Sequence, residues 1–361
     1  MINPYNGIDW TNTLQIQSMS HLHSHGSRAG SDVAYDSVVN WYNDGIRHFA
    51  YSNYHPSFPS YPFTEDPYWS LGNTEDVTRF EAWKLEHSIT DLLQSPNAEH
   101  HLIQTLGKRA ITYLHMNSIG STFATGKPIG ETPQGANIPW TELIDRAIAG
   151  LQYEDGGGVT INHPIWTMDT TNATKLTMNL IYRMLDYDPR VLGIEIYNHT
   201  CERSTHNGWA LEMFDQILST GRRCWGLAVP DHDFPGFAAG NVAGGRNVLL
   251  VPEATEHECL KAYRDGRFYA KIYGTALKFD DISLNGRTVT VSAPNAEQIE
   301  MVTNRGTEVV RGSVATFTIP LGAIYVRVHA HGLGDDIFSN PIMLNDGRPI
   351  QNTDDIVLFY D

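Results

Sequence analysis

Between residues 12 and 270 the chain alternates two textures. Short runs rich in aliphatic and β-branched residues, at 14–19, 47–52, 110–114, 158–161, 191–197 and 224–229, have the composition of strands. Between them, 32–43, 75–93, 141–153, 175–185 and 209–218 repeat apolar residues at helical spacing. Gly45, Gly156 and Gly221 follow three of these stretches, where a glycine suits a helix C-cap. Regular alternation of strand and helix is the signature of a parallel α/β architecture. The expected arrangement is a barrel whose strands end on a common face.

After about residue 272 the helical spacing disappears and short alternating strands take over. Asn285-Gly286 separates Ile282-Ser283-Leu284 from Thr288-Val289-Thr290-Val291, a hairpin signal. The run Ala-Ile-Tyr-Val-Arg-Val-His-Ala at 323–330 alternates cleanly. This part reads as a small all-β sandwich, so the expected division is 1–271 for the α/β domain and 272–361 for the sandwich. No internal repeat or low-complexity tract interrupts either part.

The length of 361 residues suits a barrel of about 250 residues with a smaller appended domain. A formal net charge of −16 and the lack of any basic run exclude a phosphate-neutralising surface, so no nucleic-acid partner is expected. Cys201, Cys224 and Cys259 show no CxxC spacing and leave an odd thiol, which suits neither a disulfide framework nor a cysteine-rich zinc site. The N-terminus lacks a basic start with an apolar run behind it, and no stretch of about 18 apolar residues could span a bilayer. A cytoplasmic protein without a membrane partner is the expectation.

Chemistry emerges when polar residues are set against the strands. Strand candidates run into Ser20-His21-Leu22-His23-Ser24-His25, Asn53-Tyr54-His55-Pro56, His115-Met116-Asn117, Asn162-His163-Pro164, Asn198-His199 and Asp231-His232-Asp233. Of 16 histidines, 13 precede residue 240, and eight of those lie at or just past a strand end, a concentration that random scatter would seldom produce. Side chains alternate along a strand, so His21 and His23 face the same side and can share one ion. With Glu99, His115, His163 and Asp231 they form a donor set of mixed imidazole and carboxylate character, which suits Zn, Mn or Fe. The donors exceed the needs of one tetrahedral ion, so two or three divalent ions are expected.

These residues carry a family resemblance. Through His21-Leu22-His23, Glu99-His100 ahead of His115-Met116-Asn117-Ser118-Ile119-Gly120, His163-Pro164, the run Gly193-Ile194-Glu195-Ile196-Tyr197-Asn198, and Asp231 after Gly226-Leu227-Ala228-Val229, the chain resembles the PHP (polymerase and histidinol phosphatase) superfamily of metal-dependent hydrolases. Gly266-Arg267-Phe268-Tyr269, Tyr325-Val326-Arg327-Val328 and Phe338-Ser339-Asn340-Pro341 resemble the β-domain appended to some members. The resemblance implies a distorted (β/α)7-type PHP barrel over 1–271, followed by the sandwich. It implies one ion on His21, His23, Glu99 and Asp231, with Glu99 bridging to a second on His115 and His163. For a third ion the pattern departs: Ser52-Asn53-Tyr54-His55 stands where the family often shows Thr-Asp-His, and Asp231-His232-Asp233 where it commonly shows Asp-x-His. That leaves His55, together with either Asp233 or an inward His232, as its ligands.

The expected chemistry is attack by a metal-bound hydroxide, with the ions also holding developing negative charge. His25, His55 and His232 are the candidates for delivering a proton to the leaving group. Glu195 and Asn198 either reach the pocket or meet a helix cap or an arginine. Arg203, Arg246 and Lys127 are the loop cations to consider for a phosphate oxygen. The proline-rich aromatic segment 54–69 either walls a pocket for an organic substrate or packs over the rim. The remaining histidines, His100 and His101 among them, are taken as structural or surface residues. The leading function is a phosphoesterase for a small phosphomonoester or phosphodiester. The alternative is hydrolysis of a carboxylic ester, carbamate or amide at the same centre. A small-molecule substrate is implied in either case, and a homo-oligomer is left open.

Overall fold

The structure is a computed structural model that describes residues 1–23, 34–52, 81–106, 109–125, 137–166, 176–232, 244–274 and 276–350. Its first twelve strands are β1 (Leu14–Met19), β2 (Leu22–His23), β3 (Ile46–Phe49), β4 (Leu93–Gln94), β5 (Glu99–Leu106), β6 (Arg109–Ile119), β7 (Gly158–Ile161), β8 (Val191–Asn198), β9 (Trp225–Val229), β10 (Asp231–His232), β11 (Arg246–Val251) and β12 (Phe268–Ile272). Eight more follow: β13 (Asp281–Asn285), β14 (Thr288–Ser292), β15 (Gln298–Thr303), β16 (Gly306–Arg311), β17 (Val314–Thr318), β18 (Tyr325–Gly332), β19 (Asp335–Ser339) and β20 (Ile342–Met343).

One sheet has the order β5-β6-β7-β8-β9. Strands β7, β8 and β9 run parallel, with the helix Met178–Tyr187 between the first two and the helices His199–Thr205 and Leu211–Ser219 between the last two. Every residue of β8 is buried, as a strand covered on both faces requires. A larger sheet has the order β16-β15-β18-β19-β12-β11-β1-β3-β4, with β20 paired to β18. Within it β1, β3 and β4 are parallel, whereas the pairings from β1 through β11 and β12 out to β16 are antiparallel. Strands β13-β14-β17 make a separate three-stranded sheet, and β2 pairs with β10.

This overturns the expected (β/α)7-type PHP barrel followed by a small all-β sandwich. No single run of parallel strands closes on itself among the described residues. Two residues separate β5 from β6, far short of the dozen or more that a parallel crossover needs, so the pair is antiparallel. A helix, Glu256–Asp265, does lie between β11 and β12, yet these strands also pair antiparallel. Alternating strand and helix in the sequence therefore did not guarantee a parallel crossover. Strand β12 pairs with β19, so backbone hydrogen bonding runs on through position 271.

Locally, the patterns place most elements within a few residues. The helix Met178–Tyr187 starts where Thr177 accepts a hydrogen bond from the Leu180 amide, a side-chain cap that sets its first turn. The stretch expected to be helical at 141–153 is helical over Trp140–Ala149 and ends at Gly150, six residues before the expected cap. Gly221 follows the helix Leu211–Ser219 with φ of 90°, a conformation open to glycine. The Asn285-Gly286 hairpin forms between β13 and β14, with Asn285 opposite Thr288 and Gly286 at φ 60° as first of the two central residues. Strands β5, β11 and β12 were not anticipated. Packed between sheets and helices, Ile161 and Ile194 are fully buried, worth about 1.5–3 kcal/mol each.

Candidate metal centre

Five neighbouring strand positions aim polar side chains at one point. Glu99 opens β5, His115 lies on β6, His163 stands two residues past β7, Glu195 lies on β8, and Asp231 follows β9 after one residue. From the other sheet, the chain leaving β1 supplies His21 and His23. The ladder of β2 and β10 sets Asp231 opposite Leu22, and the Asp231 amide donates to the His21 carbonyl at 3.0 Å. Both His163 (φ 24°) and Asp231 (φ 68°) have positive φ, a strained backbone that tends to persist at functional sites.

The side chains form two buried groups, His21–His23–Asp231 and Glu99–His115–His163, in each of which the donor atoms lie within 4.8 Å of one another. Glu99 joins them. Its Oε1 is 3.0 Å from His115 Nδ1, 3.3 Å from His163 Nε2 and 3.4 Å from His21 Nε2, while Oε2 is 3.1 Å from His23 Nε2. Asp231 Oδ1 faces His21 Nε2 at 3.2 Å and His23 Nε2 at 3.4 Å. The two Nε2 atoms of His21 and His23 approach to 3.1 Å, so their lone-pair directions converge. Glu195 holds the set from behind. It accepts from His21 Nδ1 at 2.5 Å, from the His163 amide at 2.7 Å and from Asn198 Nδ2 at 2.9 Å, and Asn198 also donates to Asp231 Oδ2 at 3.0 Å. A proton on His21 Nδ1 leaves Nε2 as a lone pair aimed into the cluster.

Electrostatics describe the same need for positive charge. Burial alone would push the His21 imidazole down, but the carboxylates of Asp231, Glu195 and Glu99 outweigh it and hold His21 well above its ordinary value. His163 is likewise raised, burial being outweighed by Glu99, Glu195 and Asp231. Burial would raise Glu99, yet His21, His101 and His115 hold it well below the usual carboxylate range. His115 moves down, because burial exceeds the pull of Glu99. Carboxylates this deeply buried need cations beside them, either protonated imidazoles or metal ions. The nitrogen and oxygen donor set, fixed from behind by Glu195, fits divalent metal.

Of the residues singled out in the sequence, His21, His23, Glu99, His115, His163 and Asp231 are brought together. His115 corrects the expectation that donors close their strands, since β6 continues four residues beyond it, and Glu99 begins its strand. His232 pairs with His23 along the β2–β10 ladder. His25, His55, Asp233, Lys127 and the aromatic segment 54–69 lie outside the described residues. Arg246 is buried and bonds Gln17 at 2.8 Å rather than a residue of the cluster. Arg203 is exposed. Glu195, left open between pocket and structural roles, meets both His21 of the cluster and Asn198, the N-cap of the helix His199–Thr205, and no arginine among the described residues.

Sequence reasoning missed His101. It stands opposite His115 in the β5–β6 ladder, with ring centroids 3.6 Å apart and planes 10° from parallel, and its Nε2 is 3.1 Å from Glu99 Oε2. The signal was present, because residues two apart on a strand share a face and His101 follows Glu99 by two. His100 points the other way, to Ser118 and Thr125.

No protein-family model matches the chain, and no curated protein matches it. Among solved structures it is similar to a two-domain protein from Bacteroides vulgatus, described as containing a predicted PHP-like metal-dependent phosphoesterase. The two are 15% identical, the match covers 95% of this chain and 97% of that one, and the TM-score is 0.45.

Proposed function

We propose that this chain is a metal-dependent hydrolase, and within that class a phosphoesterase acting on a small phosphomonoester or phosphodiester. The observation that carries the proposal is Glu99, whose two oxygens contact histidines of both buried donor groups. In this reading His21, His23 and Asp231 hold one divalent ion, His115 and His163 a second, and Glu99 both. Zn, Mn or Fe suits the mixture of imidazole and carboxylate. A pair of ions so held would supply an activated water and charge stabilisation for the leaving and attacking oxygens.

The protein's own part is positional. Glu195 keeps His21 in the tautomer that presents Nε2 and at the same time anchors the backbone of His163. Asn198 passes this restraint to Asp231. His101 shields one face of His115 and one oxygen of Glu99, which limits how water reaches that side. The aromatic ring of Trp166, 5.0 Å from His163 and 5.8 Å from His115, offers an apolar wall for an organic leaving group.

One observation favours a second reading, hydrolysis of a carboxylic ester, carbamate or amide. Among the described residues Glu99 and Glu195 pair with imidazoles, amides and a backbone N–H, and with no lysine or arginine. A phosphate ester usually draws such a cation.

The deciding experiment combines elemental analysis of the purified protein with hydrolysis of nitrophenyl phosphate, bis-nitrophenyl phosphate and nitrophenyl acetate, before and after chelation. Two or more transition-metal ions per chain with chelator-sensitive cleavage of a phosphate ester is the expected result. Cleavage of the acetate alone would replace the phosphoesterase reading by the second. Absence of bound metal, with no gain on adding Zn or Mn, would remove both.

A further inference from the structure

Arg246 opens β11 on the face opposite to the metal centre. Its neighbour Asn247 turns toward the centre, accepting from the Ala228 amide and donating to Ser20, so alternation sends Arg246 the other way. There it lies directly opposite Lys271 in the β11–β12 ladder, and both side chains are buried, Arg246 completely and Lys271 to 3% exposure. Two cations side by side in an interior are costly unless something negative meets them.

What meets them is incomplete. Arg246 Nη1 donates to Gln17 Oε1 at 2.8 Å, but Nε and Nη2 have no hydrogen-bond partner among the described residues. Lys271 Nζ donates to the Leu277 carbonyl at 2.6 Å and stands 4.0 Å from Asp335 Oδ2. Asp44 and Asp335 act on Arg246 through space, yet neither forms an ion pair with it. Nε and Nη2 together are the edge with which a guanidinium grips a carboxylate through two parallel N–H bonds. Among the described residues that edge grips a carboxylate three times elsewhere: Arg190 on Asp188, Arg222 on Asp186 and Arg327 on Asp215. At Arg246 the same fork has no carboxylate.

We propose that the Nε–Nη2 edge of Arg246, with Lys271 beside it, binds one small carboxylate-type anion such as formate or acetate, at a site separate from the metal centre. Full burial restricts the ligand to a few heavy atoms. A monovalent ion suits the site better than a divalent one, because Asp44 and Asp335 already offset part of the charge of Arg246 and Lys271 without gripping the Nε–Nη2 edge. Lys271 retains N–H donors beyond the one given to Leu277 with which to meet the same ligand.

The test uses the intact protein with its metals. Equilibrium dialysis against radiolabelled formate is expected to show one ion bound per chain. Thermal unfolding at constant ionic strength, with formate replacing a bulky sulfonate, should show a midpoint that climbs with formate concentration. A hundredfold excess over Kd shifts the folding equilibrium about 100-fold. Arg246→Met should lose both the bound formate and the concentration dependence. Because that variant could fail to fold, Lys271→Met serves beside it, keeping the fork and lowering affinity at least tenfold. A wild-type protein that binds no formate, or whose midpoint moves equally with formate and sulfonate, overturns the proposal, as does a folded Arg246→Met that binds like wild type. Metal content and hydrolysis are followed in parallel and are expected to stay unchanged in both variants, so failure here is distinct from failure of the hydrolase reading.

Discussion

Within the same fold, the buried His48 and His100 behave in the opposite way to the equally buried His21. His48 and His100 are both completely buried, and their ring nitrogens meet hydroxyls: Ser18 at 2.7 Å and Ser95 at 2.8 Å for His48, Ser118 at 2.8 Å and Thr125 at 3.2 Å for His100. Burial pushes them down to about 3 and about 4. His21 is as deeply buried, but its nitrogens meet Glu195, Glu99 and Asp231, and it moves up instead. Burial alone therefore does not fix the direction of the shift: three convergent carboxylates raise His21, whereas His115, beside Glu99, still moves down. Hydroxyls satisfy a neutral ring, whereas convergent carboxylates demand a cation that the imidazole supplies only when metal does not.

The largest expected effect removes the partner that both halves of the centre share. Glu99→Ala should abolish chelator-sensitive hydrolysis and lower metal content by two ions per chain, read by elemental analysis, whereas His48→Gln should leave metal content at the wild-type value. Full metal retention by folded Glu99→Ala would break the comparison. A smaller effect is expected from Glu195→Gln. The amide would donate to His21 Nδ1 and turn Nε2 into an N–H, weakening metal affinity roughly 10–100-fold. Metal titration against a competing chelator measures this, and nitrogen NMR of the ring reports the change of tautomer.

His48→Gln itself should cost about 1–3 kcal/mol of stability, seen as a lower midpoint in urea, because the hydroxyls of Ser18 and Ser95 would be less well met. The mildest effect is on pH dependence. For His48 and His100 the folded values lie below the unfolded value of 6.5. Their contribution to stability is therefore present above 6.5 and is lost as pH falls from there toward 4 and 3, by at most about 1.4 kcal/mol per group per pH unit. In metal-free protein His21 and His163 have the opposite sign. Their folded values are raised, so their contribution is complete below 6.5 and is lost as pH rises through those raised values. Urea unfolding across pH, with and without metal, should show the acid limb flattened by His48→Gln and the alkaline limb removed by bound metal.

Five donors, His21, His23, His115, His163 and Asp231, were legible because each stands in a short polar run beside a strand-like one, and strand periodicity puts His21 and His23 on one side. Glu99, by contrast, adjoins no strand candidate, and its place in the set rests on the family resemblance. His101 escaped notice although it shares a face with Glu99, since β5 had not been recognised as a strand. Its residues, Glu-His-His-Leu-Ile-Gln-Thr-Leu, begin with three polar side chains and lack the apolar alternation by which strands are found. The role of Glu195 was visible only as an open choice, because the partners that tie it to the cluster, His21 and His163, are 174 and 32 residues away, although Asn198 is three.

Local propensity decided the hairpin at Gly286, the capped start at Thr177 and the presence of β1, β7, β8 and β9, all of which depend on neighbours a few residues apart. The direction in which strands pair was decided elsewhere. Strand β11 is buried throughout like the parallel β8, so its burial carries no mark of its antiparallel pairing, and separate sheets form where a barrel was expected. The donor set also became a centre only through tertiary structure. Sequence could supply histidines and carboxylates at suitable positions, but the field that raises His21 and lowers Glu99 arises from groups brought within about 3 Å across the chain, and Coulomb energy depends on that distance rather than on separation along the backbone.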